Sequence, residues 1–178
     1  MNRFRILAVC TANICRSPMV EILMRQRLDP EVFEVASAGV QGWPEAPVDS
    51  MVVLELERFG ARADEFASRA LQGQMVEDAD LVLTATREHR SEVLSRHPSA
   101  LRRTFTLREF ADLVEDMIGM SSPAEMVAEA YRRRSEAGDD LDLPDPFRRP
   151  PDVHRQVADQ IATAVRIIAE RLSVTVQQ

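Results

Sequence analysis

The sequence predicts an α/β protein: one domain spanning residues 1–178, built on a doubly wound sheet of about four parallel strands with helices on both faces. Three observations predict it. Short apolar, β-branched runs alternate along the chain with longer segments of helical spacing, the pattern of strands that cross over through helices. With 178 residues the chain can fill one substantial core and is short for two. No segment repeats, and the longest apolar runs, such as residues 6–10, fall far below the roughly 20 residues of a membrane span.

Each element follows from local chemistry. Residues 3–9 (Arg-Phe-Arg-Ile-Leu-Ala-Val) form the first buried strand. Pro18 suits the first turn of a helix, where its missing N–H is no loss. Val20, Leu23, Met24 and Leu28 then keep helical spacing until Asp29-Pro30 ends the run. Residues 32–38 are a second strand that leaves through Ser37-Ala38-Gly39, and residues 42–48, with Trp43, Pro44 and Pro47, are a loop. Asp49 is a suitable N-cap for a helix over residues 50–59, closed by Gly60. A third strand covers residues 80–84, and a helix over residues 87–96 stops at His97-Pro98. A short fourth strand covers residues 103–106, and residues 107–117 are amphipathic. Ser122-Pro123 opens a helix over residues 124–136 that ends at Gly138. Residues 139–151 carry Pro144, Pro146, Pro150 and Pro151 and must be irregular. The last helix, residues 153–172, places Val157, Ile161, Ala164, Ile168 and Leu172 on one stripe.

The bulk properties exclude several classes. A net charge of −7 without a long basic stripe argues against a nucleic-acid partner. The densest basic cluster, Arg132-Arg133-Arg134, is followed by Glu136, Asp139 and Asp140 and reads as a solvated helix face. Two cysteines, Cys10 and Cys15, make no disulfide framework. With His89, His97 and His154 they make no metal-ligand spacing, so neither a metal nor a cofactor is expected. The N-terminal Met1-Asn2-Arg3-Phe4-Arg5 enters a short apolar run with no small-residue cleavage site, so no secretory signal is expected. Free thiols suit a reducing compartment, which makes the cytoplasm the expected location, with no membrane partner. No feature of the sequence bears on oligomeric state.

The chemistry concentrates at Cys10-Thr11-Ala12-Asn13-Ile14-Cys15-Arg16-Ser17-Pro18. A strand ends at the first cysteine and a helix begins near the proline, so the residues between must wrap tightly. Backbone N–H groups of such a loop form an anion cradle, to which the helix N-terminus adds partial positive charge. Arg16 can hold two phosphate oxygens with its planar fork. A thiol in that field is favoured as the thiolate, and a thiolate facing a bound phosphate is an in-line nucleophile. Ser17 can donate a hydrogen bond to the sulfur and so assist its departure in a second step. A buried core cysteine would be the ordinary alternative for Cys10, but the strand-Cys-x5-Arg-Ser-Pro-helix spacing favours chemistry. For Cys15, simple packing and a reversible disulfide with Cys10 both stay open.

These residues resemble the low-molecular-weight protein tyrosine phosphatases. The resemblance runs from Val9 to Pro18 through Ser37-Ala38-Gly39, Gly42-Trp43 and Ala79-Asp80-Leu81-Val82-Leu83-Thr84 to Asp145-Pro146-Phe147, and so covers most of the chain. It implies that Asp145 protonates the leaving phenolate and then serves as base for the water that hydrolyses phosphocysteine, work that Cys10 cannot do. It implies that Thr11, Ala12, Asn13, Ile14, Cys15 and Ser17 bind the phosphate, with Asn13 left-handed and bonded towards Ser37. Trp43 and Phe147 are then expected to wall a slot for an aromatic ring. The expected reaction is hydrolysis of phosphotyrosine, in a protein or as a related aryl phosphate. The alternatives are a phosphatase of a small phosphate monoester and a non-catalytic phosphate-binding module.

The sequence also departs from the family pattern. Ala12 stands where glycine is usual, which is costly if that position needs a positive φ. Phe66 stands where a histidine often supports the Asn-Ser network, and Phe147 where tyrosine is commoner. Residues 117–142 are longer than the family norm, so a helical insertion beside the acid loop is expected. Phosphoarginine-directed relatives tend to have threonine where this chain has Ile14, which favours tyrosine phosphate. The related arsenate reductases need further cysteines, and none follows Cys15.

Overall fold

The computed structural model describes residues 3–174. Among them four strands, β1 (Phe4–Cys10), β2 (Phe33–Gly39), β3 (Leu81–Thr84) and β4 (Thr104–Thr106), pair in parallel in the order β2-β1-β3-β4. The helices are α1 (Arg16–Arg27), α2 (Ser50–Arg58), α3 (Gly73–Asp78), α4 (Arg87–Arg96), α5 (Leu107–Val114), α6 (Pro123–Arg132) and α7 (Pro151–Val174). Successive residues of a strand point to opposite faces, so β1 feeds two cores. Ile6, Ala8 and Cys10 join the larger one with Leu23 of α1, Leu56 of α2, Phe110 of α5, Met126 of α6 and Ile161 of α7. Leu7 and Val9 join the smaller one with Val76 of α3 and Val93 of α4. The sheet is therefore doubly wound, as the sequence predicts.

The strand order places the site. The chain leaves β1 for β2 on one side, then crosses to β3 on the other, which opens a crevice at the carboxyl end of β1. Cys10 is the last residue of β1, opposite Gly39 at the end of β2.

Several boundaries differ from the sequence reading. Helix α1 begins at Arg16, so the last residues of the cysteine loop already lie in its first turn. Helix α5 stops at Val114, and α6 stops at Arg132 before a separate 3-10 turn over Arg134–Glu136. Helix α3 and the 3-10 turn over Pro98–Arg103 carry no clear sequence signal. The six-residue α3 opens on Gly73, a poor helix former. Packing fixes it: Val76 is fully buried, and a Cβ at Gly73 would stand 2.8 Å from the His97 ring.

The basic cluster needs correction. Arg132 and Arg133 do pair with Glu129 and Glu136 at the surface, but Arg134 turns inward. It donates to the carbonyl of Thr104, lies over the Phe105 ring, and stands 3.1 Å from Glu109, which Arg90 also meets at 2.7 Å. Glu109 is buried, and a buried carboxylate requires such cations. No helix among the described residues is long and apolar enough to cross a membrane. Met1 and Asn2, which entered the secretory-signal reading, lie outside the described residues.

Candidate active site

Strand β1 delivers Cys10 to the crevice, and α1 starts at Arg16, so residues 11–15 make the turn between them. Their geometry is set from below. A Cβ on Gly39 would stand 2.5 Å from the Thr11 carbonyl oxygen and 2.9 Å from the Asn13 nitrogen, so only glycine lets β2 pass under the loop. Asn13 has φ 58, a left-handed conformation that asparagine tolerates. Ala12 is not among the positive-φ residues, so its methyl group carries no backbone strain there. The backbone amides of residues 12–16 donate no hydrogen bond within the described protein and stay available at the N-terminus of α1.

A hydrogen-bond chain runs from the sulfur into the core. Cys10 Sγ lies 3.0 Å from Ser17 Oγ. Asn13 Nδ2 donates both its hydrogens, to Ser17 Oγ at 2.9 Å and to Ser37 Oγ at 2.7 Å. Its Oδ1 accepts from the Arg69 amide at 2.9 Å, which fixes the orientation of the side-chain amide. Ser37 donates onward to Glu21 at 2.5 Å. Glu21 is wholly buried and pairs with Arg25 at 2.7 Å and, more distantly, with Arg69 at 3.9 Å. Where the resemblance leads one to expect a histidine beside this network, Phe66 is half-buried against the core, and Glu21 with its two arginines anchors the chain instead.

Above the sulfur is a pocket of about 180 Å³. It is lined by Cys10, Thr11, Ala12, Ile14, Cys15, Arg16, Trp43, Asp145 and Phe147, all candidates from the sequence, and by Gln41, which the sequence did not mark. Asn13 and Ser17 lie beneath it in the hydrogen-bond chain. Trp43 is 56% exposed, so it is no core residue, whereas Phe147 is half-buried under the Arg148 guanidinium. Arg16 is buried; its Nη1 donates to the Leu143 carbonyl at 3.1 Å and its Nη2 stands 3.4 Å from Asp145 Oδ1. Its Nε is buried without a hydrogen-bond partner, an unpaired donor in a place where such donors are rare.

Two neighbours have shifted titrations. Burial, followed by the nearby Asp49, pushes the Cys15 thiol up to about 12, so Cys15 stays protonated beside the loop. Burial and then the Arg16 cation pull His89 down to about 4, against a smaller opposing effect from Asp145 and Asp142. Neutral His89 bridges Thr11 Oγ1 through Nε2 and Thr86 Oγ1 through Nδ1, each at 2.8 Å. Sequence reasoning missed Glu21, Arg69 and His89. Glu21 carried a usable signal, a charge among Met19, Val20, Leu23 and Met24 on a helix that must be buried. His89 sits in Arg-Glu-His-Arg-Ser-Glu and gives none.

An α/β sheet with an arginine-closed loop of open amides around a strand-end thiol is, by class, a cysteine-dependent phosphatase. Within that class the chain belongs to the low molecular weight phosphotyrosine protein phosphatase family, whose profile matches residues 5–136. It is 34% identical to a protein-arginine-phosphatase of Geobacillus stearothermophilus over 169 residues, 95% of this chain and 96% of the relative. It is 30% identical over 168 residues to the low molecular weight protein-tyrosine-phosphatase Etp of Escherichia coli, 94% of both chains. A solved arginine phosphatase of Geobacillus stearothermophilus superposes with a TM-score of 0.75 at 30% identity, covering 96% of this chain and 94% of that one.

Proposed function

We propose that this chain hydrolyses phosphotyrosine through a phosphocysteine formed on Cys10, with Asp145 as general acid and then general base. One arrangement carries the reading. Cys10 Sγ lies at the floor of an apolar-walled pocket, hydrogen-bonded to Ser17, with Arg16 and Asp145 facing it 3.4 Å apart.

In the first step the Cys10 thiolate attacks phosphorus, the phosphorus–phenol oxygen bond breaks, and protonated Asp145 gives its proton to the leaving oxygen. Arg16 and the loop amides hold the three non-bridging oxygens, where charge builds in the transition state. In the second step Asp145, now a carboxylate, takes a proton from water as that water attacks phosphorus. The S–P bond breaks, the sulfur leaves as thiolate with the Ser17 hydroxyl bonded to it, and inorganic phosphate is released. The buried Arg16 Nε suits this role, since a phosphate oxygen is the kind of acceptor it lacks.

The relatives divide between tyrosine and arginine phosphatases, so phosphoarginine is the second reading. Ile14, Ala12, Trp43 and Phe147 support the first, because an apolar slot suits a phenyl ring, and Asp145 is the one carboxylate on the pocket wall to meet a guanidinium. The test compares wild type with Cys10→Ser on a phosphotyrosine peptide, a phosphoarginine peptide, sugar phosphates and p-nitrophenyl phosphate. Turnover of the phosphotyrosine peptide that Cys10→Ser abolishes is the expected result. Preference for phosphoarginine or a sugar phosphate would move the substrate assignment, and equal rates in both proteins would sink the enzymatic one.

A further inference from the structure

The pocket is built from two segments that meet only across the fold, residues 10–17 and the acid loop around Asp145. One short turn touches both. Thr86 caps α4 by accepting from the His89 amide, and Arg87 and His89 divide their contacts between the two loops.

Towards the acid loop, Asp142 seats its carboxylate on Arg87. Its Oδ1 accepts the Arg87 backbone amide at 2.7 Å, and its Oδ2 accepts Nη2 at 3.1 Å and Nε at 3.2 Å. The Arg87 amide is one of the unpaired donors at the start of α4, so Asp142 completes the cap that Thr86 begins. Next to it, the amide of buried Leu143 donates to the Ala85 carbonyl at 2.9 Å and its carbonyl accepts from Arg16. Pro144 limits the conformations of the residue before it, and Asp145 follows. The carboxylate that faces the sulfur is thus three residues from a three-point anchor on α4.

Towards the phosphate loop, His89 Nε2 meets Thr11 Oγ1 in the residue next to the nucleophile. Thr86 Oγ1 already accepts the His89 amide, which leaves its hydroxyl hydrogen for Nδ1. Nε2 then carries the ring proton and donates it to Thr11, whose own hydroxyl hydrogen is left free towards the pocket wall that Thr11 forms.

We infer that the first turn of α4 is a brace that positions both halves of the active site: Arg87 places Asp145 by holding Asp142, and His89 places the phosphate loop by holding Thr11. Both are positioning residues, and their roles rest on the phosphatase reading given above. Arg87 and Asp142 are part-exposed, and such pairs add little to stability. The brace therefore acts on geometry, and its two arms have different kinetic signatures.

The experiment is steady-state kinetics of the full-length protein on aryl phosphates of increasing leaving-group basicity, with inorganic phosphate as competitive inhibitor. Arg87→Ala should lose about 10-fold or more in kcat on phenyl phosphate and no more than about 3-fold on p-nitrophenyl phosphate, with phosphate inhibition unchanged. Arg87→Lys should recover part of that loss. Added to Asp145→Asn, Arg87→Ala should change nothing further, because the acid it positions is gone. His89→Ala should weaken inhibition by inorganic phosphate about 5-fold or more and leave the leaving-group dependence as in wild type. Equal losses on every substrate, additivity with Asp145→Asn, or unchanged phosphate inhibition in His89→Ala would overturn the brace. Should the wild type hydrolyse none of these esters, the phosphotyrosine reading fails, and amide hydrogen exchange then judges the brace alone. Faster exchange over residues 141–147 in Arg87→Ala supports it, and unchanged exchange removes it.

Discussion

The phosphate loop and the acid loop face the same pocket but are held in opposite ways. Around the phosphate loop the polar side chains other than part-buried Thr11 are buried: Asn13 and Ser37 are wholly inaccessible, Ser17 is 2% exposed and Arg16 is 5% exposed. A continuous chain of hydrogen bonds ties the loop to the ion cluster at Glu21. Asp145 has a side chain 59% exposed, and its loop is anchored at residues 142–143, short of the carboxylate itself. The difference suits the role proposed for each. Groups that stabilise developing charge act best when fixed beforehand, whereas the acid proposed at Asp145, which later becomes a base, would follow a proton from leaving group to water. The fixed half should therefore break by unfolding and inactivating together, and the exposed half by inactivating alone.

Asn13→Ala tests the fixed half and has the largest expected effect. It removes two donors and one acceptor from a dry network, stranding Ser17, Ser37 and the Arg69 amide at about 1 kcal/mol each, near 3 kcal/mol in all. It also puts alanine at φ 58. Urea unfolding and turnover should fall together, turnover by about 100-fold as the loop loses its shape. Normal stability with lost activity, or the reverse, would show that the loop does not depend on its floor.

Asp145→Asn tests the exposed half. Turnover should drop by about 100-fold or more on phenyl phosphate, and by much less on p-nitrophenyl phosphate, whose leaving group needs little protonation. Its melting temperature should match wild type, because the side chain is largely in solvent. Equal loss on both esters would remove Asp145 from the acid role.

His89 links the halves and responds to pH. In the unfolded chain it takes up a proton near pH 6.5, but in the fold only at about 4. Between those values the unfolded state binds more protons, so stability falls as pH falls from 6.5 to 4, and below that the loss is complete and His89 adds no further pH dependence. The full contribution is of order 3 kcal/mol as an upper bound. Wild type minus His89→Gln, measured by urea unfolding across pH 7 to 4, isolates it from the carboxylates that titrate nearby. A difference that does not change over that window would mean that His89 accepts its proton in the fold.

The contrast between the loops also explains what could be read from the sequence. Strand and helix order, the position of Cys10 and the proline-rich acid loop were legible because each rests on short-range chemistry: periodicity, capping and the ring of proline. Asp49 illustrates this, since its cap contact with the Met51 amide spans two residues. Glu21, Arg69 and His89 were not legible in their roles because the partners that tie them to the loop, Ser37, Asn13 and Thr11, are 16 to 78 residues away and only the fold brings them together. Arg134 misled for the same reason. Its sequence neighbours are solvated charges, yet its partners in space are Glu109 and the Phe105 ring.

Trp43 gives the smallest effect and the sharpest limit on the comparison, since it belongs to the pocket but to neither loop. Only its backbone is secured, its carbonyl accepting from the Ser68 hydroxyl, while 56% of the residue stays exposed. An exposed indole contributes little to folding, so Trp43→Ala should unfold as wild type does. If the ring forms one wall of a phenyl slot, its removal forfeits a stacking contact of about 0.5–1.5 kcal/mol, equal to about a 2- to 12-fold rise in KM. That rise should appear for phosphotyrosine peptides and be absent for alkyl phosphates, which offer no ring to stack, with kcat on either little changed. An equal rise for both ester types would mean that Trp43 shapes the phosphate loop instead of the slot, and would place it with the rigid half of the site.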